Sequence, residues 1–345
     1  MMKMKTISAI VSLLLLSSCV TLNEFPIEVF QPAKIVLPAE IKNVTLVSRN
    51  MKYTNDTLQN YYAKDYKRIK YIQSTLNIDS LSVHACFDSL AMKLQAHKRF
   101  NKIEILPYSS LPVQYANNIN PPSKKLIQKI SSDTKADVLI FLDMYSGFYS
   151  IYPNPDNGRS IAKVVTASIW TIYDASKVRI ISHTSLVDTL YWDGLDESES
   201  YSASSIPNKK AALKIAAGLA GANYSKKIVP NWVKVYRNTL SCNQADFKKA
   251  AELAKKNNWD EATALWGKYA ESRNKRYQMQ ALFNLAIASE MNGNIEAATE
   301  LISKASKVST SPFYATENEN IRKYSAVLAR RKIELNKINS LNYDF

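Results

Sequence analysis

Val138-Leu139-Ile140-Phe141-Leu142 is an unbroken apolar run. A strand with one wet face alternates apolar and polar residues, whereas a strand covered on both faces reads as continuous hydrophobics. This stretch therefore predicts a central strand. On its N-terminal side, Pro121-Pro122-Ser123 opens a helix with Leu126, Ile127 and Ile130 on one face. Before that, Ile103-Glu104-Ile105-Leu106 reads as a short strand stopped by Pro107. Val83, Cys86, Phe87, Leu90, Ala91 and Leu94 recur at helical spacing, with Asp79 or Ser80 available as N-cap, and Val44-Thr45-Leu46-Val47 forms a first strand. Strand, helix, strand, helix, strand is the signature of an α/β layer. The tyrosine- and lysine-rich Tyr53 to Asn77 reads as an insertion with half-buried tyrosines.

On the C-terminal side, Lys163 to Tyr173 and Val178 to Trp192 are rich in Val, Ile, Thr, Tyr and Trp and are joined by Asp174-Ala175-Ser176-Lys177, which predicts an antiparallel hairpin. The acidic, serine-rich Asp193 to Ser205 reads as an exposed loop. The helix after Pro207 carries Ala211, Ala212, Ala216, Ala217, Gly218, Ala220, Gly221 and Ala222, small side chains that let its backbone approach a sheet. Pro230-Asn231-Trp232 marks a break before Val233 to Leu240. The expectation is one mixed-sheet domain over residues 43–240 in β-α-β-α-β-β-α order.

From Asp246 onward the pattern is helical. Asn257-Asn258-Trp259-Asp260-Glu261-Ala262 and Gly293-Asn294-Ile295-Glu296-Ala297-Ala298 align at an offset of 36 residues, each a turn running into an amphipathic helix. Leu285, Ala286, Gly293, Ala298 and Ala305 resemble the tetratricopeptide repeat, as do Ala250, Leu253, Ala262 and Trp266 of the first copy, in which Lys249 departs from the pattern. The last helix, Thr316 to Ile338, begins on Thr316-Glu317-Asn318-Glu319, which reads as a capping box. The fold class expected is α+β: the α/β sheet domain followed by an all-α tetratricopeptide-like repeat domain over residues 246–345.

The first nineteen residues, MMKMKTISAIVSLLLLSSC, have a basic n-region (Lys3, Lys5) and a short apolar run from Ile7 to Leu16, the layout of a signal peptide over residues 1–18. A membrane-crossing helix needs roughly 20 apolar residues, and this run is too short. Leu16-Ser17-Ser18-Cys19 resembles the lipobox of bacterial lipoproteins. The resemblance implies lipidation of Cys19 and attachment of the mature chain to a membrane, which several acyl chains make stable. Val20 fits sorting to the outer membrane, and residues 20–24 lack an acidic surface-export cluster, so the periplasmic face is expected. Residues 19–42, with Pro26, Pro32 and Pro38, read as an extended tether or edge segment.

Without residues 1–18 the chain keeps 43 Lys+Arg, the total of 45 less Lys3 and Lys5, against 30 Asp+Glu, a formal charge of +13. A basic surface favours anionic partners, and beyond an inner membrane an anionic envelope polymer fits better than nucleic acid. Cys86 and Cys242 remain after Cys19, on a helix and at a domain boundary, and a disulfide between them would persist in an oxidising compartment. Seven glycines in 345 residues leave little for a phosphate-cradling loop. His84, His97 and His183 are too scattered to suggest a metal site. The Ser-x-x-Lys triplets at Ser132, Ser160 and Ser272 lack companion motifs, and Asp196, Glu197 and Glu199 sit where they solvate a loop. No catalytic, cofactor or metal residue is therefore assigned, and no enzyme activity is expected. The loop Tyr149 to Ser160 has the aromatic and amide content of a carbohydrate contact, although its Pro, Asn, Asp and Gly residues also make an ordinary turn.

Taken whole, the lipobox, Ala222-Asn223-Tyr224 to Pro230-Asn231-Trp232 with Arg237, and the Trp259-Asp260-Glu261-Ala262 and Asn284-Leu285-Ala286 repeats resemble a family of Bacteroidales lipoproteins of unknown function. The resemblance supplies no activity; the helical repeats, whose concave surfaces suit extended binding, give the expectation of a membrane-anchored envelope scaffold with a protein partner at those repeats. A glycan- or peptidoglycan-binding module is the alternative.

Overall fold

The computed structural model describes residues 21–53, 61–70, 76–116, 118–195 and 198–341. The chain is a mixed α+β protein, sheet-rich first and helical after, and it divides into two compact units. Residues 33–230 form one. Residues 21–32 join Asn231–Ser340 in the other.

The ribbon strand β1 (Thr21–Gln31) belongs to the second unit, so the sheet unit begins with β2 (Asn43–Ser48) and β3 (Met51–Tyr53). β4 (Tyr61–Lys64) and β5 (Lys67–Lys70) form a hairpin whose two turn residues, Asp65 and Tyr66, have φ of 49° and 63°, both positive as a tight primed turn requires. Tyr66 is 68% exposed, against the half-burial expected of it. Helix α1 (Leu76–Gln95) starts a turn earlier than Asp79 or Ser80 would place it, and leads to β6 (Lys102–Ile105) and β7 (Gln114–Ala116). Helix α2 (Lys124–Thr134) is capped by Ser123, whose side chain accepts from the Leu126 amide.

Three long strands follow, β8 (Val138–Pro153), β9 (Ser160–Asp174) and β10 (Arg179–Trp192), then helix α3 (Lys209–Ile228). The sheet order is β10-β9-β8-β2-β6. β2 is parallel to both β6 and β8, and the meander β8-β9-β10 is antiparallel. The expected β-α-β-α-β-β-α order is short: three strands, not two, lie between α2 and α3, and β3, β4, β5 and β7 are additional. The first half of β8 is the apolar run, fully buried from Val138 to Leu142. Leu139 and Phe141 pack with Ile127 and Ile130 of α2, and Val138 and Ile140 point to the opposite face. Each such side chain contributes about 1.5–3 kcal/mol.

Helix α3 meets the sheet at Leu213, whose Cδ2 would stand 3.0 Å from a Cβ added at Gly147 of β8. Its small residues also serve a second approach, to α1: a Cβ on Gly221 would lie 1.9 Å from the Cys86 carbonyl oxygen. No side chain fits there.

The second unit is a ribbon with five helices. β1 pairs antiparallel with β11 (Asn231–Ser241) along its whole length, Thr21 opposite Ser241 and Gln31 opposite Asn231. Residues 21–31, in the stretch read as a tether or edge segment, thus form a paired strand, and residues 231–240, read as the end of the sheet domain, pair with it in a separate two-stranded ribbon. Phe25, Ile27 and Val29 are buried on one face while Glu24, Pro26 and Glu28 are exposed. β1 pairs on one side only, where a strand tolerates proline.

The helices are α4 (Ala245–Lys255), α5 (Trp259–Gly267), α6 (Lys275–Met291), α7 (Ile295–Val308) and α8 (Ala315–Asn339). The 36-residue repeat is a structural repeat. Asn257 and Gly293 both take positive φ, 61° and 77°. Asn258 and Asn294 both cap the next helix, accepting from Glu261 and Ala297 amides, while their own amides donate to Leu253 and Ser289 carbonyls at 2.9 Å. Trp259 and Ile295, Ala262 and Ala298, Trp266 and Ile302 are buried in matching pairs. The capping box expected at α8 does not form. A 3-10 turn over Pro312–Tyr314 runs directly into Ala315, so Thr316 is already helical, and Tyr314 stands at the cap with no side-chain bond. Glu319 pairs instead with Arg322 and Lys323.

Candidate functional site

Two buried charge centres stand out, one in each unit. In the sheet unit, a bulge between Leu142 and Met144 interrupts β8 where its parallel half ends. Bulges re-aim side chains, and here Asp143 is 1% exposed. Arg49, just past β2, donates to Asp143 Oδ1 at 2.9 Å, and its amide bonds the Leu142 carbonyl. The Thr171 hydroxyl donates to Asp143 Oδ2 and lies 2.8 Å from His183 Nδ1. Asn50, at φ 53°, donates to the Tyr108 and Leu111 carbonyls and closes the centre.

The order of this chain decides its chemistry. In a hydrolytic triad the imidazole sits between hydroxyl and carboxylate and takes the hydroxyl proton. Here the hydroxyl sits in the middle and its proton goes to Asp143, so His183 has none to abstract. The adjoining cavity, lined by Ser48, Asn50, Asp143 and Tyr145 among others, is about 20 Å³, room for a single water. This centre organises the end of the parallel strands.

In the helical unit, Glu290 near the end of α6 has a fully buried side chain. Arg237 of β11 grips both its oxygens at 2.7 Å, and the Tyr324 hydroxyl of α8 donates to it at 2.8 Å. Burial lowers the Arg237 pKa, but the hydrogen bonds and charge of Glu290 outweigh it and hold the guanidinium above its ordinary value. Burial and the neighbouring carboxylate push the Tyr324 phenol well up. Arg331, 6% exposed, donates to the Phe30 carbonyl of β1 at 2.9 Å and to Glu334 at 2.5 Å, and its Nε is 3.9 Å from Glu290. Asn284 of α6 adds a two-way amide bond to the Leu240 backbone, 2.8 Å each way. Together these tie both strands of the ribbon to α6 and α8.

Above this network opens a cavity of about 320 Å³, bordered by Phe30 and Trp232 of the ribbon, Met291 and Gly293 of the repeat turn, Ile295 and Leu335. The Phe30 and Trp232 rings are 5.2 Å apart, and Trp232 is 65% exposed. Its residues are spread from 28 to 335. The sequence offered two signals, the second repeat turn at Gly293 and Arg237, but no indication that they meet around Glu290.

The residues singled out earlier fall as follows. Cys19 and residues 1–18 lie outside the described residues, as do Asp196 and Glu197. Cys86 and Cys242 are free buried thiols, and burial raises the pKa of both. His84 and His183 are exposed on separate elements. Among the described residues no three His, Cys, Asp or Glu side chains group to hold a metal, and no helix is long and apolar enough to cross a membrane. The 149–160 segment is the β8–β9 hairpin, closed by the Asn154 amide on the Arg159 carbonyl at 2.6 Å and by Gly158 at φ +69°. Its Tyr152 ring lies 5.5 Å from Tyr66.

Comparison with known proteins gives the chain a family without a function. No curated protein matches it. Among solved structures, the PelC dodecamer from Paraburkholderia phytofirmans is 11% identical over 60% of this chain and 98% of its own, with a TM-score of 0.25. A protein from Helicobacter pylori, described as a homolog of a neuraminyllactose-binding hemagglutinin, is 10% identical over 64% of this chain and 92% of its own, with a TM-score of 0.27. Likenesses at this level inform nothing about the present chain. Residues 248–330 match the model of a domain of unknown function, DUF6340. Residues 41–239, more than half of the sequence, match that of another, and the chain belongs to this family, the domain of unknown function DUF8603.

Proposed function

We propose that this chain is a non-catalytic scaffold of a bacterial envelope, lipid-anchored through Cys19 to the outer membrane on its periplasmic side, whose tetratricopeptide-like hairpins dock a protein partner. The observation that carries the reading is the matched geometry of the two helical turns, cap for cap and buried residue for buried residue. Stacked helical hairpins suit extended binding of protein segments. The lipobox resemblance supplies the anchor, and the net basic charge suits a place beside anionic envelope polymers.

Two measurements test it. Cys19→Ala should release the protein from membranes, and unchanged retention would remove the anchor. A photo-crosslinking residue placed in the full-length protein at exposed Lys249 or Lys304 of the hairpins should trap one stoichiometric envelope protein. Sites at exposed Lys125 and Lys129 of α2 should not, and trapping only from α2 would overturn the docking surface.

A second reading, a glycan- or peptidoglycan-binding module, draws on the exposed Tyr66 ring beside Tyr152 at the β8–β9 hairpin. Co-sedimentation with purified peptidoglycan, lost in Tyr66→Ala, is its test, and absence of sedimentation removes it.

A further inference from the structure

We infer that the cavity beside Ile295 is a receptor for one aromatic side chain of the partner protein, an indole or phenol ring. The inference rests on the scaffold reading and names what the helical unit grips. The first repeat shows what the space is shaped for. There Trp259 is 7% exposed, its ring centroid 4.8 Å from that of Phe25 in β1, and its Nε1 donates to Asn257 Oδ1 at 3.1 Å. The chain plugs its own turn with an indole and holds that indole by its N–H.

Thirty-six residues on, both parts are missing. Ile295 stands in place of Trp259 and Gly293 in place of Asn257. A Cβ built on Gly293 would meet nothing within 4 Å. An opening of about 320 Å³ remains between the turn and the ribbon, at the small end of the range of about 300–1,000 Å³ for ligand sites. That is room for one ring and its stem.

The walls suit the same occupant. Phe30 and Trp232 offer ring faces and edges, and Met291 a thioether, the partners an aromatic ring prefers. Trp232 keeps a large aromatic surface in water at the mouth, as anchors of protein interfaces do. Two charged side chains also line the cavity: Glu290, held by Arg237 and Tyr324, and Arg331, which donates to the Phe30 carbonyl and Glu334 and keeps its buried Nε without a hydrogen-bond partner among the described residues. Glu28 and Asn292 border the cavity and supply acceptors for an indole N–H or a phenol O–H.

The test uses the full mature chain with 5-fluoroindole as the probe, observed by fluorine NMR, and chitobiose as the competing class. Saturable millimolar binding is expected. Ile295→Trp, which gives the second repeat the plug of the first, should weaken it at least about ten-fold with the circular dichroism spectrum unchanged. Trp232→Ala, a change at an exposed side chain, should weaken it as well. If Ile295→Trp does not fold, Ile295→Phe serves the same arm. No saturable fluoroindole binding, binding unaltered by both variants, or chitobiose binding in its place overturns the inference. Crosslinks from Lys249 and Lys304 that persist undiminished in Ile295→Trp also overturn it while leaving the scaffold standing. Fluoroindole binding lost as expected, with no partner crosslinked from the wild-type hairpins, removes the scaffold reading and overturns the inference that a partner's side chain fills the cavity.

Discussion

The two helical turns share their caps, their left-handed residue and their buried positions, yet one is sealed and the other is open. In the first, Trp259 closes the space under Phe25, and Ala254 stands buried where the second has Glu290. In the second, the indole is replaced by Ile295, and the alanine by a carboxylate that binds Arg237 and Tyr324. The lesson is that a repeat conserves its backbone signals while its fillings diverge. Caps and turns are fixed by local hydrogen bonding, whereas a filling is fixed only by what lies opposite, here two different parts of the ribbon.

The comparison can be broken most severely at Glu290. Glu290→Ala gives the second turn the residue of the first but leaves Arg237 and the Tyr324 hydroxyl buried without their acceptor. A loss of about 3–5 kcal/mol is expected, measured by urea unfolding, and a loss below about 1 kcal/mol would show that the network does not hold the ribbon. Next in size, Trp259→Ala should cost about 3–5 kcal/mol, because a buried indole is removed from a filled site. Ile295→Ala should cost about 2 kcal/mol, at the low end for its type, since it borders space that is already open. Equal losses would mean that the two sites are equally filled.

A pH titration separates the turns further. The Tyr324 phenol has its folded-state pKa raised above the unfolded value of about 10. Its contribution is complete below that value and is lost as pH climbs through and beyond it, at up to about 1.4 kcal/mol per pH unit. Tyr324→Phe should flatten the alkaline slope of stability by that amount, and an unchanged slope would place the titration elsewhere. The smallest effect sharpens the likeness: Asn258→Ala and Asn294→Ala should each cost about 1 kcal/mol and agree with one another, because their cap geometries agree.

Much of this was legible in the sequence wherever local chemistry decides structure. The helix opened by Pro121-Pro122-Ser123, the Val138–Leu142 strand, the Lys163–Trp192 hairpin and the 36-residue repeat follow from periodicity and turn residues. The capping box at Thr316 failed because a preceding 3-10 turn moved the helix start, a choice between two local signals that the sequence leaves balanced. Pro26, Pro32 and Pro38 leave the stretch around β1 readable as a tether or as an edge segment, although Phe25, Ile27 and Val29 alternate with Glu24, Pro26 and Glu28. Its partner stands some 210 residues away, and no local pattern marks such a pairing. The candidate site was the least legible part. Arg237, Glu290, Tyr324 and Arg331 lie on three elements, and each alone reads as an ordinary surface or helix residue.

Most elements, the order of the helices and the repeat are readable from the chain alone, because those depend on interactions within a few turns of chain. Packing of distant parts sets the return of the N-terminal strand to the helices, the place of Thr171 between Asp143 and His183, and the opening at the second turn where the first is plugged. Those are outcomes of distant groups competing for the same volume, and volume is a property of the packed chain.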